Sequence, residues 1–502
     1  MPALLAALAF LFFAAATSEA GAQGPPEHSP PEAFARAHRS VTPDADAQAA
    51  FDDGLTLLYA FDPEEARRSF ERAVRDEPLL GVGWWGVAMS YGVNINTAFD
   101  AAQQRRGRDA IVKATALAAR AAPADRGLIE AASKRFAFVA PGDADRSARS
   151  YRDAMNAVAT AFPGDDDVQA LAAEAEMDAH SWSYFTADGK ATPGTNDTIA
   201  RVQTVLARDP EHLGANHFLI HLLEESPHPE GALASARRLA AMSFEPAAEH
   251  LAHMPAHTFM RVGDYHAAGQ ANARAVALYQ TYLAGNPAGH GDYLGHDCRF
   301  GIDAFMMSGE AARAHALAAT CARSTSLTIP IVDTRFRRWS ALAQDGDLGD
   351  FTGGMLLVHD GRLALAATHA KNVRKAADST ASILADILDA ALARANGRQE
   401  AEIAALTDAV RVQDGFGYSE PPAFWYPVRE SLAAAYYRAA RYDDAERVFR
   451  ADLARNAENP RSLYGLAQTL EREGRTADAQ FVRDRFMQAW KFADVTLDIN
   501  EL

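Results

Sequence analysis

Gly54, Ala66, Phe70, Ala73 and Pro78 fall at a spacing that leaves a chain few choices of fold. Small residues at these intervals let two antiparallel helices approach closely, the aromatic fills the space between them, and the proline ends the second helix. The series returns near the other end as Ala433, Tyr442, Ala445 and Phe449, then as Gly465, Ala467, Gly474 and Ala479. Gly263-Asp264-Tyr265 with Ala268 and Ala275, and Gly309 with Ala314 and Cys321, supply two central occurrences.

This is tetratricopeptide spacing. It predicts an all-α chain, a right-handed α-solenoid of antiparallel helix pairs over residues 46–502, with the first helix of each pair lining the concave groove. Abundant alanine and few β-branched runs agree with helix. Residues 92–163 read as an irregular insertion, helical in sequence but without a tidy repeat. Residues 186–196, rich in Gly, Thr and Pro, read as a loop.

The N-terminus has another character. The stretch from Ala3 to Thr17 is apolar and ends in small residues, and Ala20-Gly21-Ala22 matches an A-x-A cleavage site, although no Lys or Arg precedes it. Residues 1–22 are therefore expected to be a signal peptide and residues 23–45 a disordered Pro-rich leader, which places the mature chain in the periplasm or outside the cell. No internal apolar run approaches the roughly 20 residues that span a bilayer, so no integral membrane segment is expected after cleavage. A net charge of -17 argues against nucleic acid as partner. Cys298 and Cys321 fall early in one helix and late in its antiparallel partner, where either a disulfide or two buried thiols fit the spacing.

Histidines carry the functional signal. Seven lie between His212 and His257. His217 and His221 are four apart, and His250, His253 and His257 step by three and then four, so each group forms one stripe on a helix face. Pairs His217/His253 and His221/His257 are both separated by 36 residues, close to one helix-pair repeat. The first helices of three consecutive repeats, within a histidine-rich region 213–325, are expected near 213–225, 249–262 and 293–308. Aligning Gly263 with Gly309 matches His250 to His296, His253 to Arg299 and His257 to Asp303. Pro255 should interrupt the second helix.

Helix axes packed about 8–10 Å apart bring imidazoles of neighbouring helices within reach of one ion. Neutral imidazole suits Zn, Cu or Fe. His217, His221, His250, His253, His257 and His296 are the candidate ligands to a divalent transition metal, with Glu224 and Glu225 as carboxylate support. Arg261 and Arg299 are placed to hold a carboxylate of a small-molecule or peptide ligand, or to pair with Glu224, Glu249 or Asp303. Tyr293 and Trp182 are candidate linings, and His290 and Asp292 weaker additional ligands. His266, His315, His359 and His369 fall outside the stripes. Two functions compete: a metal-binding protein, which an open coordination position would make a metalloenzyme, and a non-catalytic scaffold holding a peptide in the groove. No G-x-S-x-G, H-E-x-x-H or phosphate-binding glycine loop points to other chemistry.

Two segments carry a family resemblance: Gly214-Ala215-Asn216-His217-Phe218-Leu219-Ile220-His221, and His250-Leu251-Ala252-His253-Met254-Pro255-Ala256-His257 followed by Arg261-Val262-Gly263. They resemble the N-H-Y-x-I-H and H-x-x-H-M-P-[SA]-H-I-x-x-R-x-G motifs of a bacterial family of exported tetratricopeptide-repeat proteins. Trp84-Trp85-Gly86, Asn94-Ile95-Asn96, Trp182 and Tyr426-Pro427-Val428-Arg429 add to the likeness. The resemblance implies the fold and export but no established reaction. Phe61-Asp62-Pro63 stands where the family shows F-N-H. His296, Asp297, Arg299 and Phe300 stand where it shows H-N-x-H-F, so over the two departures together this chain lacks two of the family's histidines.

Overall fold

The computed structural model describes residues 34–287, 289, 293–344 and 348–502. The signal-peptide expectation, and the candidates His290 and Asp292, lie outside the described residues.

The fold is all-α. The first half runs α1 (Ala45–Tyr59), α2 (Pro63–Asp76), α3 (Gly81–Met89), α4 (Ala101–Leu117), α5 (Pro123–Arg135), α6 (Ala144–Ala161), α7 (Asp166–Ala179) and α8 (Thr195–Arg208). The centre is α9 (Leu213–Glu224), α10 (Leu233–Ala241), α11 (Glu249–His253), α12 (Pro255–Val262), α13 (Tyr265–Gly285), α14 (Leu294–Ser308) and α15 (Ala311–Thr320). Then follow α16 (Ile329–Arg335), α17 (Trp339–Leu342), α18 (Asp350–His359), α19 (Leu363–Arg374), α20 (Ser379–Ala395), α21 (Gln399–Asp414), α22 (Val428–Arg438), α23 (Tyr442–Leu453), α24 (Pro460–Arg472) and α25 (Thr476–Ala489). Among the described residues the only β-type pairing is an isolated bridge between Phe185 and Ala191.

Helices pack on their sequence neighbours, as a tetratricopeptide-like α-solenoid requires. The first repeat shows why. Phe70 is fully buried, and its ring enters a notch between α1 and α3 made by two glycines. A Cβ at Gly54 would lie 2.7 Å from that ring, and one at Gly86 2.4 Å. Asp62 caps α2 through its side chain, and Pro63 supplies the first helical residue at no cost in hydrogen bonds. Residues 92–163 hold α4, α5 and α6, each packed on the next and α6 on α7.

Residues 34–44, expected within a disordered leader, instead run along α1. The Ala35 N–H donates to the Ser243 carbonyl at 2.7 Å. Arg39, 11% exposed, donates to Asp125 at 2.7 Å, Asp165 at 2.9 Å and Asp167 at 3.2 Å. Proline-rich composition concealed one arginine that finds three carboxylates across the fold.

Cys298 in α14 and Cys321 at the end of α15 form a disulfide, both half-cystines buried. By loop-closure entropy, a Cys298→Ser/Cys321→Ser variant should lose about 2–4 kcal/mol of stability, measured by urea unfolding. Unchanged stability would show that the bridge adds nothing to the packed pair.

Segments from the first and last parts of the described residues pack on the middle. Tyr59 at the end of α1 packs edge-on against Phe218 of α9, with ring centroids 6.0 Å apart. The Tyr265 hydroxyl donates to the Ala457 carbonyl at 2.7 Å, and Asp494 accepts from the Ala311 N–H at 2.8 Å. Among the described residues no helix is long and apolar enough to cross a membrane.

Candidate metal centre

Three helices bring the histidines together: α9 carries His217 and His221, the α11–α12 rod carries His250, His253 and His257, and α14 carries His296. Pro255 does interrupt the second helix, and the residue between the two pieces, Met254, keeps helical geometry. The His257 N–H bonds Met254 three residues back at 3.2 Å, a local tightening that keeps all three imidazoles on one side. Gly263 and Gly309 end their helices in the left-handed region, at φ +84° and +81°, so the register drawn between the two repeats holds.

The six imidazoles form two adjacent triads. His217, His221 and His250 make one; His253, His257 and His296 make the other. In each, one nitrogen per ring lies within 4.8 Å of the other two. Across the boundary, His221 and His257 have ring centroids 5.5 Å apart, and His250 and His253 5.6 Å.

For four of the six rings, acceptors behind them fix which nitrogen points inward. His217 Nδ1 meets the Tyr59 carbonyl at 2.7 Å, and His221 Nδ1 meets Glu224 Oε1 at 2.9 Å. His253 Nδ1 lies 2.6 Å from Asn272 Oδ1 and 3.2 Å from Asp297 Oδ1. His257 Nδ1 is paired with Glu224 Oε2. A hydrogen on Nδ1, held by these acceptors, leaves the Nε2 lone pair to face the centre. Glu224 thus braces one ring of each triad.

That arrangement is one a proton or a cation would satisfy. His253 Nε2 sits 2.8 Å from His257 Nε2 and 3.1 Å from His296 Nε2. Lone pairs directed at one another across such distances repel unless a proton or metal ion lies between them. In the other triad, the Nε2 atoms of His217 and His221 and both ring nitrogens of His250 are buried with no hydrogen-bond partner. Buried polar atoms seldom go unsatisfied, and an ion seated between the rings would take one nitrogen from each of the three. The donor set fits a transition metal.

Electrostatics agree. Burial, reinforced by the neighbouring imidazoles, holds His217, His250 and His253 well below the usual histidine range, and lowers His296 to about 3. These rings are neutral and ready to ligate near pH 7. Burial also opposes charge on His257 and Glu224, but their mutual attraction wins. It raises His257 and holds Glu224 far below the carboxylate range.

A cavity of about 470 Å³ opens on both triads. His221, His250, His257 and His296 share its wall with Asn96, Trp182, Glu225, Tyr293 and the 418–420 segment. Glu225 Oε2 is buried there without a hydrogen bond. Tyr293 stacks on His250 at 4.2 Å, and Asn96 Nδ2 donates to its hydroxyl at 3.3 Å. Trp182 turns its edge to His221 and donates its indole N–H to the Ile95 carbonyl at 2.9 Å.

The two arginines behave differently from either expectation. Arg261 donates to the backbone carbonyls of Glu224 and Ser226, at 2.8 and 3.2 Å. Arg299 donates to those of Pro422 and Ala423, at 2.6 and 2.9 Å, and so pins the loop over the site. Orphan carbonyls of a helix end and a loop outcompete side-chain carboxylates for them. Asp303 is buried outside both triads, and burial raises it well above the carboxylate range. Phe61, from the segment that departs from the family pattern, lies against His217 with centroids 4.5 Å apart.

Asn272 and Asp297 behind His253, and Tyr418 and Glu420 over the cavity, were not singled out as site residues from sequence. Asn272 offered a signal, since asparagine is disfavoured inside a helix. The 418–420 segment offered none, lying more than a hundred residues beyond the histidines.

No family model and no curated protein sequence matches the chain. Solved structures are matched loosely. The tetratricopeptide domain of P58(IPK) is 13% identical with a TM-score of 0.23, covering 86% of this chain and 99% of that one. The human IFIT1 dimer with m7Gppp-AAAA is 12% identical with a TM-score of 0.32, covering 88% of this chain and 90% of that one. Yeast Tom70 is 8% identical with a TM-score of 0.29, covering 89% and 95%. Likeness at this level carries nothing about a ligand.

Proposed function

We propose that the chain is an exported metalloprotein that holds two divalent transition-metal ions, of the Zn, Cu or Fe class, one in each histidine triad. The carrying observation is the convergence of three ring nitrogens in each triad, with the Nδ1 atoms of His217, His221, His253 and His257 held from behind by acceptors so that their Nε2 atoms face inward. Three imidazoles leave a coordination position open toward the cavity, where a bound ion would polarise water, dioxygen or a small substrate. The disulfide and the apolar N-terminal stretch support export. Burial of the imidazoles, with five of the six 3% exposed or less, favours a small ligand over a peptide lying in an open groove.

Elemental mass spectrometry of tag-free protein from its native compartment tests the reading. About two metal ions per chain are expected. A folded chain that stays metal-free after incubation with Zn or Cu would sink it. Glu224→Gln preserves the shape between His221 and His257 but removes the charge, and should weaken metal binding about 10–100-fold in a chelator competition.

A further inference from the structure

A second cavity, built by other helices, has the makings of a binding site. It encloses about 240 Å³ between α16, α18, α20, α21, α22 and α24, and five arginines line it: Arg335, Arg337, Arg394, Arg438 and Arg461. Four of the five have partners on the protein, two of them carboxylates. Arg335 pairs with Glu430, and Arg438 donates to Glu402 at 2.6 Å. Arg337 and Arg394 hold the backbone carbonyls of Glu501 and Asn500.

Arg461 is the exception. It is 6% exposed, its Nε is buried without a partner, and among the described residues it makes no ion pair. Arg335, equally buried, leaves its Nε and Nη2 unpartnered although Nη1 reaches Glu430, and its guanidinium lies 4.5 Å from the Tyr426 ring centroid. Burial and the neighbouring Arg335 pull Arg461 down to about 9. A buried guanidinium without an ion pair is costly, and the carboxylate that attracts Arg461, Glu430, is already paired with Arg335. Phe351, Met355, Ile387 and Leu406 give the same cavity an apolar part of its lining.

We infer that this cavity binds a small organic monocarboxylate, its planar head received by the free N–H groups of Arg335 and Arg461 and its apolar body lying against the apolar part of the lining. Guanidinium forks match a carboxylate in plane, and Arg461 is the one guanidinium of the five with no side-chain or backbone hydrogen-bond partner among the described residues. Apolar lining selects an organic acid over inorganic phosphate or sulfate.

Isothermal titration of the full chain with hexanoate, phenylacetate and inorganic phosphate tests this. Hexanoate or phenylacetate should bind at one site per chain, at least tenfold more tightly than phosphate. Arg461→Met should abolish that binding while its melting temperature stays equal or rises, since an unpaired buried charge has gone. Metal content of that variant, unchanged, would show that the fold persists. A wild-type chain that takes neither carboxylate, or an Arg461→Met chain that takes them as well as wild type, overturns the inference. Phosphate binding as tightly as hexanoate would overturn the assignment of an organic acid.

Discussion

A His221→Ala/His257→Ala chain is expected to fold and to retain no metal. Each substitution removes one of three imidazoles from a different triad, and both strip Glu224 of its partners. Two imidazoles alone make a weak site for a divalent ion, because structural and catalytic centres use at least three protein ligands. His217→Ala should behave differently, losing one ion while the triad of His253, His257 and His296 keeps the other. Elemental analysis paired with circular dichroism reads both outcomes. Loss of both ions in His217→Ala, with helicity intact, would show that the triads bind as one unit rather than two.

The largest loss of stability is expected from Phe70→Ala, about 3–5 kcal/mol by urea unfolding. The ring is fully buried, faces Phe51 at 5.3 Å and Trp85 at 6.5 Å, and occupies a notch that two glycines keep open. Backbone on both sides limits collapse into the void, so the cavity term adds to the lost transfer energy. A loss under about 1 kcal/mol would mean that the first helix pair rearranges around the gap, contrary to the notch geometry.

That notch was legible in the sequence because it is local. Gly54 and Phe70 lie within one helix pair, and their chemistry states the packing outright. Histidine stripes were legible for the same reason, since helical spacing fixes a face. The division into two triads was not, because it depends on which ring nitrogen each acceptor claims. Tyr59, Asn272 and Asp297 act from other elements or from other turns of the fold. Arg299 illustrates the harder case. Register placed it opposite His253, but the loop carbonyls that hold it come from residues 422 and 423. The order of residues 34–44 was hidden too, because one arginine with three distant carboxylates outweighs a composition that reads as leader.

The most direct test of two ions in two triads is anomalous diffraction from crystals grown with zinc, recorded on both sides of the metal edge. Two peaks are predicted, one within reach of the Nε2 atoms of His217 and His221 and a ring nitrogen of His250, the other among the Nε2 atoms of His253, His257 and His296. A map with no peak in either triad, from crystals with zinc bound elsewhere on the same chain, would contradict the account.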